Sequence, residues 1–205
     1  MNYPIRTENL IKKFGKVAAI DGLDLQVPDG AIYALVGPNG AGKTTTLKVL
    51  MNVMRATRGR AEVLGAESAR LSAREFEQIG YVSENQEMPG WMTLKYFLDY
   101  LKPFYTRWDD ERSQDLLRQF DLPLNTRLAN LSRGMRVKVA LVSSLAYHPL
   151  LLVLDEPFSG LDALVRDELI GALLECAERA TVLISSHDLS EIESFASHVR
   201  SEERR

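Results

Sequence analysis

The glycine-rich segment Gly37–Thr44, with the sequence GPNGAGKT, constrains this chain more than any other feature. It matches the pattern G-x-x-x-x-G-K-[ST], which works only between a strand that holds its start and a helix that presents free N–H groups at its end. The apolar run Ala31–Val36 precedes it, and a helical pattern over Lys43–Met54 follows it. The chain is therefore expected to fold as an α/β protein with a mainly parallel sheet.

The same segment predicts a site for a nucleoside triphosphate. Its glycines let successive N–H groups turn toward phosphate oxygens, Lys43 adds charge at the β- and γ-phosphates, and Thr44 offers a hydroxyl to Mg²⁺. An accidental match is rare in a chain of this length, and the flanking strand and helix argue further against one. The expected nucleotide contacts are Gly37, Pro38, Asn39, Gly40, Ala41, Gly42, Lys43, Thr44 and Thr45.

Other apolar runs and periodic patterns complete the outline of the fold. Leu150–Leu154 and Thr181–Ser185 are short and apolar on both faces, which predicts buried strands. The stretch from about 85 to 131 lacks a clear strand pattern and is interpreted as a helical insertion. Helices are predicted over Thr93–Leu101, Asp109–Phe120, Ser132–Tyr147, Asp162–Arg179 and Asp188–Val199.

Composition restricts the class of protein. The 205 residues include 45% hydrophobic residues, which suits a globular domain with its own core. Lys and Arg number 25 against 28 Asp and Glu, giving a net charge of −3, so we expect no nucleic acid partner. Cys176 is the one cysteine and predicts a reducing compartment, with the cytosol as the default. No apolar run reaches the ~18 residues of a membrane span.

Charged and polar groups stand where two predicted strands end. Asp155 and Glu156 close the run Leu150–Leu154, where ionised carboxylates require a cation or hydrogen bonds. Asp155 is expected to hold Mg²⁺ through water, and Glu156 to polarise a water for attack on the γ-phosphate. His187 follows the strand Thr181–Ser185 and is a candidate sensor of the γ-phosphate. The alternatives are a helix-capping carboxylate pair and a structural histidine.

A second candidate anion site opens the predicted helix after Leu131. In Leu131–Met135, with the sequence LSRGM, Ser132 and Gly134 leave free N–H groups and a hydroxyl at the positive end of the helix dipole. Taken alone, Ser132 is better explained as an N-cap.

Together these segments resemble the ATP-binding subunits of ABC transporters, and the resemblance runs from Tyr3 to Val199. It rests on the Walker A loop GPNGAGKT, the signature LSRGM, the Walker B strand LLLVLDE, the D-loop Ser159–Asp162 and the switch histidine His187. It implies a P-loop NTPase core with an N-terminal antiparallel β part and an inserted helical subdomain. The expected core is 1–84 and 146–205, and the expected helical subdomain is about 85–145, within a single domain.

The resemblance also implies a function. It implies an ATPase that works as a homodimer or heterodimer, in which Ser132 and Gly134 of one subunit face the ATP of the other. Phe14 corresponds to the aromatic residue that stacks on adenine, or is a strand-core phenylalanine. The helical subdomain is expected to touch a separate transmembrane permease, which places the chain in the cytoplasm on the inner face of the membrane. The stretch Ser83–Tyr100 resembles bacterial exporters of drugs or antimicrobial peptides.

The sequence departs from the family at three places. Glu84 stands where the family's Q-loop has glutamine, with Gln86 close behind, and we expect Glu84 to ligate Mg²⁺ and to take part in catalysis. In the signature, Arg133 replaces a glycine and points either toward phosphate or to solvent. Only 188–205 follow His187, so the C-terminal strands of the family are expected to be missing.

Two other classes of nucleotide-binding protein share part of this pattern. The first is a soluble non-transport ABC ATPase, which usually needs tandem cassettes, a long coiled coil or zinc-binding insertions. The second is a P-loop kinase or GTPase. It is disfavoured because the chain has no Asn-Lys-x-Asp motif and because His187 and the signature would go unexplained.

Overall fold

The N-terminal part of the protein forms an antiparallel sheet, as the resemblance implied. The computed structural model describes residues 3–84 and 86–201. The sheet has the strand order β2-β1-β4-β5, and each neighbouring pair is antiparallel. Its strands are β1 (Ile5–Phe14), β2 (Val17–Val27), β4 (Arg58–Val63) and β5 (Ala66–Glu67).

A second sheet of five parallel strands forms the centre of the protein. Its order is β6-β7-β8-β3-β9. Because all five strands run in the same direction, their carboxyl ends meet at one edge, where α/β proteins bind ligands. The mainly parallel sheet predicted from the apolar runs is confirmed. The strands are β3 (Ile32–Val36), β6 (Ile79–Val82), β7 (Leu151–Asp155), β8 (Thr181–Ser186) and β9 (His198–Ser201).

The helices cover both faces of the parallel sheet. Side-chain oxygens cap the N-terminal ends of several of them: for example, Ser132 accepts from the N–H of Met135, and Asp162 accepts from that of Val165. Short 3₁₀ turns lie at Ser68–Arg70, Lys102–Phe104, Leu128–Asn130 and Leu189–Glu191. The helices are α1 (Lys43–Leu50), α2 (Ala73–Phe76), α3 (Leu94–Leu101), α4 (Asp110–Gln119), α5 (Arg133–Leu145) and α6 (Ala163–Ala177).

The central strands are buried on both faces, which explains why they carry apolar residues on both faces. Leu152 and Leu154 of β7 belong to the hydrophobic cluster shared with α3 to α6. Leu151 and Val153 of the same strand belong to the cluster shared with α1 and the antiparallel sheet. Successive side chains of a strand point to opposite faces, so one apolar strand joins two cores.

The helical insertion packs directly on the parallel sheet. Gly80 of β6 allows α5 to come close, since a Cβ at this position would lie 3.1 Å from the carbonyl oxygen of Ser144. Helices α3 and α4 share the same hydrophobic cluster as α5 and the sheet. The expected boundary at about 85 falls on Asn85, which lies outside the described residues.

The helix predicted over Asp188–Val199 is wrong. A single 3₁₀ turn forms at Leu189–Glu191, where Asp188 accepts hydrogen bonds from the N–H and hydroxyl of Ser190. His198–Ser201 then pairs with β3 as strand β9. In Asp188–Val199 only Ile192 is fully buried, so the segment carries no apolar stripe that would stabilise a helix.

The described helices are too short or too polar to span a bilayer. Across residues 3–84 and 86–201, none combines the length with the apolar character needed to cross a membrane.

Candidate active site

A cavity of about 250 Å³ lies at the carboxyl edge of the parallel sheet, beside the glycine-rich loop. We call it the nucleotide cavity. Ten of the described residues line it. The sequence analysis singled out nine of them, which come from four separate parts of the chain, and it did not single out the tenth, Ala19. The nine are Asn39, Gly40, Gly42, Lys43, Thr44, Thr45, Glu84, Glu156 and His187.

The loop turns into α1 at Gly42, in a conformation that only glycine accepts here. Gly42 has φ +98°, and a Cβ at this position would lie 2.1 Å from the carbonyl oxygen of Ala19. Strand β2 therefore supports the loop from below. No sequence pattern marks Ala19, because its contact depends on how the two sheets pack.

Lys43 is held inside the cavity by oxygen atoms on two sides. Its Nζ donates to the carbonyl oxygen of Gly37 at 2.6 Å and lies 3.3 Å from that of Pro38. It also lies 3.1 Å from Oε1 of Glu156, and the two side chains are only 5% and 7% exposed. This buried ion pair fixes the ammonium group at the mouth of the loop.

Asp155 and Thr44 lie together, as the predicted magnesium site requires. Oδ1 of Asp155 accepts from the Thr44 hydroxyl at 2.9 Å and from the Ser185 hydroxyl at 2.8 Å. The Ser185 hydroxyl also accepts from the N–H of Glu156 at 3.0 Å. Ser185 thus holds both acidic residues in place. The sequence analysis missed this role and named Ser185 only as the last residue of a predicted strand.

Asp155 also affects Tyr81, which lies on the adjacent strand β6. The pKa of Tyr81 on β6 rises to about 12, first because the phenol is buried and second because the charge of Asp155 opposes a phenolate. Tyr81 therefore stays protonated at neutral pH and adds no charge to this edge of the sheet.

Glu156 contacts both Lys43 and His187. Its Oε2 contacts Nδ1 of His187 at 2.8 Å and accepts from the His187 N–H at 3.2 Å. This hydrogen bond is the main cause that raises the pKa of His187 above its ordinary value of 6.5. Oε1 of Glu156, by contrast, accepts no hydrogen bond of regular geometry from the described residues, beyond its ion pair with Lys43.

The structure separates the two candidates for the Q-loop position. Glu84 lines the nucleotide cavity together with Lys43, Thr44 and Glu156, whereas Gln86 lies outside it. The cavity thus contains the carboxylates of Glu84 and Glu156 together with Lys43 and His187.

Several predicted contact residues do not line the nucleotide cavity. Phe14 is 49% exposed with its ring 5.0 Å from Lys12 Nζ, which rules out the strand-core interpretation. Ser132 is exposed at the start of α5, and Gly134 faces Val165 of α6. The others are Gly37, Pro38 and Ala41 of the loop, and Asp155, which reaches the cavity through Thr44.

Comparison with known proteins agrees with this geometry. A profile of the family described as "ABC transporter" matches residues 20–159. The chain is 36% identical to the daunorubicin resistance ATP-binding protein DrrA2 of Streptomyces coeruleorubidus, over 96% of this chain and 63% of that protein. It is 33% identical to the sulfate/thiosulfate import ATP-binding protein CysA of Bradyrhizobium diazoefficiens, over 95% of this chain and 60% of that protein. The chain thus spans less than two thirds of the length of either relative.

A solved structure described as the ATP binding subunit of an ABC transporter has the same fold. It superimposes with a TM-score of 0.87 at 28% identity, covering 97% of this chain and 85% of its own.

Proposed function

The chain belongs to the ABC transporter ATP-binding family, and from that premise we propose that it binds and hydrolyses ATP to drive a separate membrane permease. The observation that carries the proposal is the network in which Glu156 holds Lys43 with one oxygen and His187 with the other. A triphosphate entering the cavity offers Lys43 a stronger anionic partner than a single carboxylate. Binding would thereby release Glu156 from its ion pair.

Glu156 is the residue best placed to activate the attacking water. Its Oε1 contacts Lys43 and would become free to accept a proton once Lys43 pairs with phosphate, and its position is fixed by Ser185 and His187. A general base needs an unoccupied lone pair within reach of the water that it deprotonates. His187, as a cation, would contribute positive charge beside the γ-phosphate.

The residues present fit Mg²⁺. The ion prefers hard oxygen ligands, and the Thr44 hydroxyl, Asp155 and Glu84 supply a hydroxyl and two carboxylates at one edge of the cavity. When bound, Mg²⁺ neutralises charge on the β- and γ-phosphates. Its three candidate residues come from α1, β7 and the segment after β6.

The position of the signature supports a second ATP-binding subunit. Ser132 is exposed and Gly134 of α5 packs against Val165 of α6, and neither lines the nucleotide cavity of its own chain. Within a head-to-tail dimer these residues would close the cavity of the partner instead. The partner is either a second copy of this chain or a related subunit.

A groove of about 370 Å³ between the core and the insertion supports contact with a permease. Its walls include the aromatic side chains of Phe76, Tyr81, Phe97 and Tyr105, and Phe76 is 37% exposed. An apolar groove of this kind accepts a short amphipathic helix. We propose that a cytoplasmic helix of the permease lies here, with this chain at the inner face of the membrane.

We propose export as the direction of transport. The drug-resistance protein DrrA2 supports this choice, while the similarity to a sulfate/thiosulfate import protein argues for the opposite direction. Co-purification from membranes with a permease encoded beside this chain separates a transporter subunit from a soluble ABC ATPase, which would not sediment with membranes. Substrate flux in vesicles containing both subunits then gives the direction.

Substitution of two residues tests the ATPase itself. Glu156→Gln should lower the rate of phosphate release by about 10²–10⁴-fold, the usual contribution of a general base, while ATP still binds. Lys43→Ala should abolish ATP binding, because the main cation at the phosphates is lost. Both are measured by phosphate release and by equilibrium binding of a fluorescent ATP analogue.

Glu178→Gln is the matched control, because Glu178 is an exposed glutamate beyond the end of α6 and away from the nucleotide cavity. It should leave the rate unchanged. Wild-type turnover in Glu156→Gln would contradict the proposed role of this residue, and absence of ATP binding by the wild-type protein would contradict the function as a whole.

A further inference from the structure

A second cavity, of about 300 Å³, adjoins the nucleotide cavity on the far side of Glu84. We call it the arginine cavity, because two guanidinium groups from successive turns of α5 line it. Glu84 belongs to the lining of both cavities, so the two cavities meet at this residue. The residues that matter here are Ser83, Glu84, Gln86, Arg133 and Arg136.

The two arginines leave an excess of positive charge in this cavity. In the part of the chain that the structure describes, neither Arg133 nor Arg136 forms an ion pair with a carboxylate. Arg136 donates one hydrogen bond to the carbonyl oxygen of Leu131 at 2.6 Å, which orients its guanidinium group. Two cations thus face the one carboxylate of Glu84.

Arg133 is held at the entrance of the cavity by its packing on the D-loop. Its Nη1 atom would lie 3.3 Å from a Cβ at Gly160, so the guanidinium lies directly on this glycine. A side chain at Gly160 would displace it. Arginine is the residue that best recognises tetrahedral oxyanions, because its planar group donates two parallel hydrogen bonds.

The lining also contains a polar group without a partner. Oε1 of Gln86 is buried and accepts no hydrogen bond from the described residues. The amide oxygen and nitrogen occupy equivalent positions, so a turn of the amide by 180° places its NH₂ group there instead. The hydroxyl of Ser83 lines the same space. A bound oxyanion would accept a hydrogen bond from this hydroxyl, and one from the Gln86 amide once that buried group turns toward the cavity.

We propose that the arginine cavity is a binding site for inorganic phosphate. Its volume holds a tetrahedral oxyanion with surrounding water, and its donors are Arg133, Arg136, Ser83 and the Gln86 amide. Phosphate would reach it from solution or, if the proposed ATPase activity holds, from the nucleotide cavity past Glu84. Binding itself does not depend on turnover.

Isothermal titration of the nucleotide-free full chain with sodium phosphate tests the proposal, with sodium chloride at equal ionic strength as the blank. We expect saturable binding to one site. Each charged hydrogen bond lost should weaken binding by about tenfold or more, so Arg133→Gln/Arg136→Gln should lose it. Arg118→Gln, an exposed arginine on the same insertion that pairs with Asp115, is the control and should bind as the wild type does.

A second pair of variants shows which cavity binds the ion. Lys43→Ala should retain phosphate binding, because Lys43 lies in the nucleotide cavity only, and Glu84→Gln should tighten it by removing the opposing charge. If Lys43→Ala loses the binding, phosphate occupies the nucleotide cavity and the proposal is wrong. Binding that persists in the double arginine variant, or heats equal to the chloride blank in the wild type, would also overturn it.

Circular dichroism and thermal melting show whether the double variant folds. Arg133→Lys/Arg136→Lys keeps both charges and the length of the side chains, and should retain weaker binding. Loss of binding in the glutamine pair with partial retention in the lysine pair supports the site, even where the glutamine pair is less stable. Equal affinities in the two pairs would exclude the guanidinium groups as ligands.

Discussion

Glu156 determines the charge state of its neighbour His187. The hydrogen bond to Oε2 raises the pKa of His187, so the imidazolium form is favoured in the folded protein. A histidine whose pKa is raised by folding stabilises the protein below its ordinary pKa of 6.5, and this contribution disappears as the pH rises through the folded value. The contribution of His187 to stability therefore depends on pH.

Glu156→Gln should lower the pKa of His187 toward 6.5, because a neutral amide no longer favours the imidazolium. The measurement is an NMR titration of the imidazole protons in both proteins. Glu178→Gln, which changes an exposed glutamate away from the nucleotide cavity, is the control and should leave the pKa of His187 at its wild-type value. An unchanged pKa of His187 would show that the carboxylate is not its main partner in solution.

The two candidates for the Q-loop position should behave differently. Glu84→Ala should lower the Mg²⁺-dependent ATPase rate, because it removes a carboxylate from the nucleotide cavity. Gln86→Ala should leave the rate close to the wild type, because Gln86 lies outside that cavity. The rates are compared over a titration of Mg²⁺. The reverse pattern would mean that Gln86 fills the Q-loop role.

Among the elements, α6 gives the clearest test of local stability. The carboxylate of Asp162 accepts from the N–H of Val165 at 3.0 Å and begins this helix, as the sequence predicted. Asp162→Ala should lower the free energy of unfolding by about 1 kcal/mol, measured by urea denaturation. Asp167→Ala, an exposed aspartate within α6, is the control. Equal losses in both would contradict the capping role.

Elements whose position is determined by their own residues were predicted closely, and elements that depend on distant contacts were not. Strands such as Leu151–Asp155 are apolar up to their last residue because both faces are buried, so their positions were predicted to within one residue. The first helix ends at Leu50 instead of Met54, with Asn52 in a left-handed conformation. Strand β9 has no apolar pattern, and only the adjacent edge of β3 makes it a strand.

The residues of the candidate site also fall into two groups: those in a local motif were predicted, and those placed by distant strands were missed. Residues in a local motif, such as Lys43 and Thr44, were predicted because strand, loop and helix follow each other in the chain. Ala19 and Ser185 were missed because their contacts with Gly42 and Asp155 depend on the arrangement of distant strands. Phe14 was left open, and the structure removes its strand-core alternative by showing the ring half exposed.

For the whole molecule, the proposed dimer leads to a further prediction. Glu156→Gln with ATP should form a stable dimer, because bound ATP joins the two subunits and is not hydrolysed. Lys43→Ala with ATP should stay monomeric, because it lacks the cation that holds the phosphates. Light scattering during size-exclusion chromatography measures both masses. Tight ATP binding by Glu156→Gln without any increase in mass would contradict a homodimer.

The position of β3 within the sheet has a consequence for how the protein is made. This strand leads into the phosphate loop, yet its neighbours β8 and β9 follow it only after strands β4 to β7 and helices α1 to α6. On the ribosome, β3 therefore lacks both partners until synthesis has reached β8. Nucleotide binding by a nascent chain would thus report that synthesis has passed β8, and shorter fragments would depend on chaperones to protect an apolar strand.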